Sequence, residues 1–261
     1  MARPSQDFVP QRAQEILAVL PHSVSAAEVL NLLSAEPWRE RSDLVGAANV
    51  EGGSGGGLGS FLEIGGRFLK TSRARRFPSP QAALASDGET EQLRRALGIY
   101  HPERIWFLSS GRDGGFWACS LTPKLHILRE EFKADASCPS PWDHYLRAVD
   151  ICLGATESAG VILDCNPNNF GSQEDALFYV DDDLRCPPAL LTQVLLRLRE
   201  YPAVSDSLKV RFLQGFCRRI LEAPPPALER LGLRQDLESR TFWPVSAPLA
   251  DLLENLRKQL S

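Results

Sequence analysis

Apolar and polar positions alternate at strand spacing on both sides of a glycine pair in the first third of the chain. Residues 61–64 and 67–71 flank Gly65 and Gly66, and Lys70 lies on the second of these segments. Two short alternating segments joined by two glycines are typical of a β-hairpin with a tight turn. The pattern therefore predicts a hairpin whose return strand carries Lys70.

A helical segment and a second hairpin are predicted after the first hairpin. Residues 80–98 have apolar positions at helical spacing, which indicates one helix or a pair of helices with Ser86 or Asp87 as a cap. Residues 105–108 and 116–119 are apolar runs separated by a polar, glycine-containing segment, which favours two antiparallel strands.

Two amphipathic segments precede the hairpins. Residues 10–20 carry apolar positions between two prolines and predict a helix. A second helix is predicted over residues 25–34, where Ser25 and Glu28 have the spacing of a capping box. We therefore expect a helical extension over residues 1–40.

Helical periodicity dominates the second half of the chain. A further strand is expected at residues 44–50, so that residues 41–122 form a β-rich lobe and residues 123–261 a helical lobe. The chain is therefore expected to be α+β, with a sheet-rich first half and a helix-rich second half. Helices of the second half are predicted over residues 141–158, 187–200, 205–222, 227–238 and 247–260.

Composition narrows the class of protein. A chain of 261 residues with 43% hydrophobic and 24% charged residues is long enough for a sizeable core and ordinary for a soluble globular protein. The formal net charge of −4 gives no electrostatic reason to expect nucleic acid as the main partner.

The N-terminal segment, the apolar runs and the spacing of the cysteines favour a cytoplasmic location. No apolar run approaches membrane-spanning length, and residues 1–7 contain no apolar secretory core. The six cysteines include no Cys-x-x-Cys pair, which argues against a structural zinc site and against a disulfide framework. We expect a cytoplasmic protein with reduced thiols and no membrane partner.

Candidate chemistry is concentrated in residues 161–183. This segment predicts an apolar strand, a polar turn, a short hairpin and an acidic cluster, with Asp164 and Asn169 in the first turn and Asp181 at the end of the last strand. Strands rarely end in consecutive carboxylates for packing reasons, because the charges must be solvated or neutralised. Acid, amide and acid in this arrangement suit a divalent metal and a phosphate.

The motif Asp-Cys-Asn-Pro-Asn-Asn at residues 164–169 resembles the catalytic loop of the protein-kinase-like superfamily, which here has the form Asp-x-x-Pro-x-Asn. In that family a short β-hairpin follows and ends in a metal-binding aspartate, the place of Asp181. The resemblance implies a two-lobed kinase-like fold with ATP and Mg²⁺ as cofactors. It implies that Asp164 orients or deprotonates the acceptor hydroxyl, while Asn169 and Asp181 bind Mg²⁺.

The same resemblance implies roles for residues in the first half of the chain. Lys70 would contact the ATP phosphates, and Glu91, or alternatively Glu89, would be its ion-pair partner. Lys70 and the two glutamates could also have no role in binding, because lysines on strands and glutamates in the first turn of a helix are common.

Two further segments complete the implied nucleotide site. The glycine-rich run at residues 51–60, including Gly55 and Gly57, would cradle phosphates with backbone N–H groups, although such a run is also typical of a flexible loop. Residues 121–125 would form the hinge whose backbone receives the adenine.

The sequence differs from the kinase-like pattern at several positions, and these differences indicate which group within the superfamily it resembles. Ile162 stands where the family has His or Tyr, Asp182 follows the metal-binding position, and helix is predicted soon after Asp181 without a long activation segment. The short segment after Asp181 is similar to that of small-molecule kinases of the aminoglycoside, choline or sugar-phosphorylating kind.

Three functions follow as hypotheses. The first is an ATP- and Mg²⁺-dependent phosphotransferase acting on a hydroxyl of a small molecule. The second is a pseudokinase that binds nucleotide or acts as a scaffold for a protein partner, which Ile162 and the irregular glycine spacing favour. The third is an interaction protein without a nucleotide site, in which residues 10–34 carry the function and the acidic segment is an ordinary turn.

Overall fold

A computed structural model shows two compact units, Met1–Leu125 and His126–Ser261. The first unit is rich in β-sheet and the second is mainly helical, so the chain is α+β as predicted. The expected strand at 44–50 and the glycine-rich run lie outside the described residues. The structure describes residues 15–34, 38–40, 60–110, 114–182, 184, 186, 190–239 and 246–260.

An antiparallel sheet forms the centre of the first unit. Six of its strands lie in the described residues, in the order β1-β5-β6-β4-β3-β2. Every pairing between neighbours is antiparallel. The strands are β1 (Glu15–Leu20), β2 (Trp38–Glu40), β3 (Ser60–Ile64), β4 (Arg67–Phe77), β5 (Ile105–Ser110) and β6 (Phe116–Pro123).

The helix predicted over residues 10–20 is wrong, because Glu15–Leu20 is a strand. It pairs with β5, and Leu20 lies opposite Trp106. Residues 16–20 are a continuous apolar run, and a run this short has the same appearance in a buried strand and in a helix. This segment is a strand and not a helix because it pairs with β5, which is distant in the sequence.

The first predicted hairpin is confirmed. Gly65 and Gly66 join β3 to β4 with φ angles of 51° and 72°. Both values are in the left-handed region that a two-residue hairpin turn requires and that glycine adopts without strain. The return strand runs to Phe77, well beyond the predicted end.

The second N-terminal helix is confirmed as α1 (Ala26–Leu33). The Glu28 backbone N–H donates to Ser25 Oγ at 3.2 Å, and the Ser25 backbone N–H donates to Glu28 Oε2 at 2.6 Å. These two hydrogen bonds form the predicted capping box.

The predicted helical segment at 80–98 has three parts: α2 (Pro80–Ala83), a π-helical turn (Leu84–Gly88) and α3 (Glu89–Leu97). Its cap is Ser79, whose Oγ accepts from the Ala82 N–H at 3.1 Å. The predicted caps Ser86 and Asp87 are wrong, since both lie inside the π-helical turn.

The sheet of the first unit has buried apolar side chains on both faces. Side chains of α1 pack on one face with Ile16, Ile64, Leu69, Ile105, Phe107, Trp117, Cys119 and Leu121. Ala83 of α2 packs on the other face with Trp106, Leu108 and Ala118.

The second unit places a small sheet among helices. Its strands β7 (His126–Ile127), β8 (Phe170–Gln173) and β9 (Ala176–Tyr179) pair antiparallel in chain order. The helices are α4 (Leu128–Asp135), α5 (Pro139–Ala159), α6 (Leu190–Glu200), α7 (Asp206–Glu222), α8 (Pro225–Arg230), α9 (Leu233–Ser239) and α10 (Ala247–Leu260).

The helical predictions for the second unit are largely confirmed. The helix expected at 227–238 is divided into α8 and α9 at Gly232, whose φ of 64° ends regular helix. Helix α4 was missed because only Leu128 and Phe132 of its residues are buried. Among the described residues, no helix has the length and apolar character needed to cross a membrane.

An aromatic cluster joins α4, α5 and α7 with Tyr201, the residue that follows α6. Tyr145 stacks on Phe212 with ring centroids 5.5 Å apart, and Phe132 stacks on Tyr201 at 5.3 Å. Trp142 meets Phe132 edge-on at 5.0 Å. Because stacked and edge-on aromatic pairs have defined geometry, this cluster holds α5, the helix that leads into the candidate site, in place.

Candidate active site

The segment that enters the site is held by the C-terminus of α5. Gly160 ends this helix with a φ of 65°. The Thr156 hydroxyl then donates to the carbonyl of Val161 at 2.8 Å. In the extended chain that follows, Val161 and Leu163 are buried in the core. Asp164 lies on the opposite, partly exposed side of this segment.

The loop after Asp164 is built from two successive side-chain turns. The Asn166 N–H donates to Asp164 Oδ1 at 3.1 Å, and the Asn168 N–H donates to Asn166 Oδ1 at 3.1 Å. A single 3₁₀ turn, Pro167–Asn169, completes the loop. Asp and Asn side chains readily form such turns, because they accept hydrogen bonds from the backbone N–H two residues further on. The residues of the motif therefore determine the conformation of this loop themselves.

Asn169 connects the two ends of the candidate site. Its Nδ2 donates to the Asp164 carbonyl at 3.3 Å, and its own carbonyl accepts from the Val180 N–H at 2.8 Å. The first bond uses the nitrogen of the side-chain amide and leaves the amide oxygen for another partner.

The hairpin predicted between Asn169 and Asp181 is present as β8 and β9. Its turn contains Glu174, whose φ of 53° is the one left-handed value among the described non-glycine residues. Phe170 lies opposite Tyr179, and their rings meet at 5.2 Å. The hairpin therefore returns the chain to the Asp164 loop at Asp181.

Asp181 lies two residues after the last strand of the hairpin and is partly exposed. Its Oδ1 accepts from the Asp182 N–H at 2.8 Å, while the Asp182 side chain is buried. Asp183 lies outside the described residues.

The surroundings of Asp164 change the pKa of its carboxyl group. Burial raises the pKa of Asp164, and the nearby negative charge of Asp181 raises it further. Hydrogen bonds from Gln193, Asn166 and Asn169 oppose this effect, but the pKa remains above its ordinary value. Asp164 is therefore protonated more easily than an ordinary aspartate.

Gln193 is a site residue that the sequence pattern did not reveal. It lies in the first turn of α6, and its Nε2 donates to Asp164 Oδ1. The apolar periodicity of this helix predicts only core contacts, and the two residues are 29 positions apart. No local signal in the sequence connects them.

The oxygen donors of the site fit a magnesium ion. A carboxylate at Asp181 and an amide oxygen at Asn169 are hard ligands, and Mg²⁺ commonly takes one or two such groups together with substrate phosphates. Among the described residues, no group of three or more His, Cys, Asp or Glu residues is arranged to hold a metal. One carboxylate and one amide oxygen are a number of protein ligands that Mg²⁺ commonly takes when substrate phosphates supply others.

In the first unit, the predicted phosphate-binding lysine lies in the middle of the sheet. Lys70 on β4 is opposite Ser120, which is opposite Trp106. These three residues therefore share one sheet face, and Lys70 is partly buried.

The predicted partner of Lys70 has other contacts. Glu91 is fully buried, and its Oε2 is 3.4 Å from guanidinium nitrogens of both Arg94 and Arg104. Its Oε1 is 3.5 Å from Arg95 Nε. The pairing of Glu91 with Lys70 stays a prediction, and the alternative partner Glu89 is exposed.

The implied nucleotide site has two further parts, the glycine-rich run and the hinge. Gly55 and Gly57 lie outside the described residues. In the expected hinge, β6 continues to Pro123, and the Lys124 N–H donates to the Gly66 carbonyl at 2.9 Å. The hinge role of 121–125 stays a prediction.

No protein-family model matches the chain, and no curated protein matches it either.

Proposed function

We propose that the chain is an ATP- and Mg²⁺-dependent phosphotransferase with a protein-kinase-like fold that phosphorylates a hydroxyl of a small molecule. One observation carries the proposal. Asp164, Asn169 and Asp181 belong to one hydrogen-bonded loop and hairpin, in which Asn169 bonds to Asp164 on one side and to the strand end before Asp181 on the other.

Each residue has a distinct role in this proposal. Phosphoryl transfer needs little covalent help from the protein and depends on positioning and charge stabilisation. Asp164 orients the acceptor hydroxyl and accepts its proton, while Asn169 and Asp181 hold the metal. When bound, Mg²⁺ neutralises charge on the phosphates.

The order of elements in the first unit supports the same proposal. Protein kinases use a glycine-rich loop, a strand lysine and a glutamate on the next helix to bind ATP. Here the glycine-rich run lies between β2 and β3, Lys70 lies on β4, and Glu91 lies on α3, the helical segment that follows.

Replacing the metal ligand tests the proposal. Asp181→Asn is expected to reduce Mg²⁺-dependent turnover of ATP, assayed with a panel of hydroxyl compounds and with water as acceptor, by at least about 100-fold, because a charge-stabilising contact is lost. The control Asp175→Asn changes an exposed carboxylate in the turn of the same hairpin and should leave turnover unchanged. Equal turnover by the Asp181→Asn variant and the unsubstituted protein would refute the proposal.

A pseudokinase is the second candidate, and two observations favour it. Ile162 has no side-chain group able to take part in catalysis, and Glu91 is surrounded by three arginines. Thermal unfolding with ATP, with and without Mg²⁺, discriminates between the candidates. A rise in the midpoint without turnover supports nucleotide binding alone, and no rise in either condition supports a protein without a nucleotide site.

A further inference from the structure

Gln193 contacts Asp164 through its side-chain amide. Its Nε2 donates to Asp164 Oδ1, while its Oε1 is buried and has no hydrogen-bond partner within the described part of the chain. A buried, unpaired carbonyl oxygen costs free energy that an apolar side chain of the same length would not. The contact with Asp164 is therefore the distinctive interaction of this side chain.

Helix α6 holds Gln193 rigidly. The neighbouring residues Leu191 and Val194 are fully buried. Gln193 is therefore carried by a packed helix rather than by a loop.

Two donors converge on one oxygen of Asp164. Oδ1 accepts from the Asn166 backbone N–H at 3.1 Å and from Gln193. The first donor lies on the same loop and moves with it, whereas the second is anchored on a different element. Of these two donors, Gln193 is the one that links the carboxylate to an element outside the loop.

We propose that Gln193 is a positioning residue that holds the Asp164 carboxylate in the orientation needed to accept the proton of the acceptor hydroxyl. This role rests on the proposed phosphotransferase function. A general base acts only within hydrogen-bond reach of the proton that it accepts, so a rotated carboxylate lowers the rate of the chemical step without weakening ATP binding.

Kinetics of Gln193→Met test the role, because methionine matches the length of glutamine but offers no N–H donor. We expect kcat to fall roughly 10-fold to 100-fold, the range for residues that orient a functional group, with KM for ATP changed less than about twofold. The matched control Gln214→Met changes an exposed glutamine on α7 and should alter neither constant. An unchanged kcat, or a rise in KM without a fall in kcat, would overturn the proposal.

A second measurement does not depend on turnover. In ¹⁵N-edited NMR spectra, the side-chain amide signal of Gln193 should shift when Asp164 is replaced by Ala, while that of Gln214 stays in place. An unmoved Gln193 signal would overturn the positioning contact even in an active protein. Absence of turnover in the unsubstituted protein, with a shifted Gln193 signal, would overturn the proposed function and its positioning role while confirming the contact.

Discussion

The side-chain amide of Asn169 donates a 3.3 Å hydrogen bond to the backbone carbonyl of Asp164. The carbonyl of Asn169 accepts from the Val180 N–H, directly before Asp181. The three residues that the sequence motif singles out are therefore linked by the fold of the loop itself.

Replacing Asn169 by Ala should disturb both stability and activity. We expect the free energy of unfolding, measured with urea, to fall by about 1 kcal/mol, since one hydrogen bond is lost. Mg²⁺-dependent turnover should fall more than this loss of stability explains, because the proposed metal ligand is removed. The control Asp175→Ala alters an exposed turn residue and should change the free energy by less than about 0.5 kcal/mol. Equal effects of the two substitutions would contradict the linking role.

The raised pKa of Asp164 has a predictable effect on stability. Between the ordinary pKa of an aspartate and the raised pKa in the folded state, the folded protein binds more protons than the unfolded chain. The contribution of Asp164 to the free energy of unfolding should therefore decrease as pH rises through this window. Asp164→Asn removes this contribution, so the variant should gain stability relative to the unsubstituted protein as pH rises. Parallel stability curves, measured by urea unfolding across acid and neutral pH, would contradict the raised pKa.

The buried charges around Glu91 should matter greatly for stability. Glu91→Gln leaves the buried guanidinium groups of Arg94 and Arg104 without this carboxylate, and breaking a buried ion pair costs about 3 kcal/mol. Glu89→Gln on the same helical turn removes an exposed charge and should cost less than about 0.5 kcal/mol. Urea unfolding of both variants measures the difference. A small loss in Glu91→Gln would show that the arginines are stabilised by other contacts.

The predictable parts of the fold are those with a local cause. The hairpin at Gly65 and Gly66 follows from the positive φ angles that only glycine adopts easily, and the start of α1 follows from the hydrogen bonds between Ser25 and Glu28. The loop after Asp164 belongs to the same class, since its turns are made by its own side chains.

The errors and omissions have a non-local cause. Glu15–Leu20 forms a strand because β5 is available for pairing. Asp87 does not cap a helix; its Oδ2 accepts a 2.5 Å hydrogen bond from the indole N–H of Trp106, 19 residues away. In both cases the partner is distant in the sequence, so the local pattern cannot specify it.

The sequence by itself determined the α+β division, most of the helices and the local geometry that links Asp164, Asn169 and Asp181, because turn chemistry and periodicity act over a few residues. Tertiary structure alone decided that Gln193 donates to Asp164 and that three arginines surround Glu91. Burial and charge pairing depend on which distant elements pack together, and that information is absent from any short stretch of the chain.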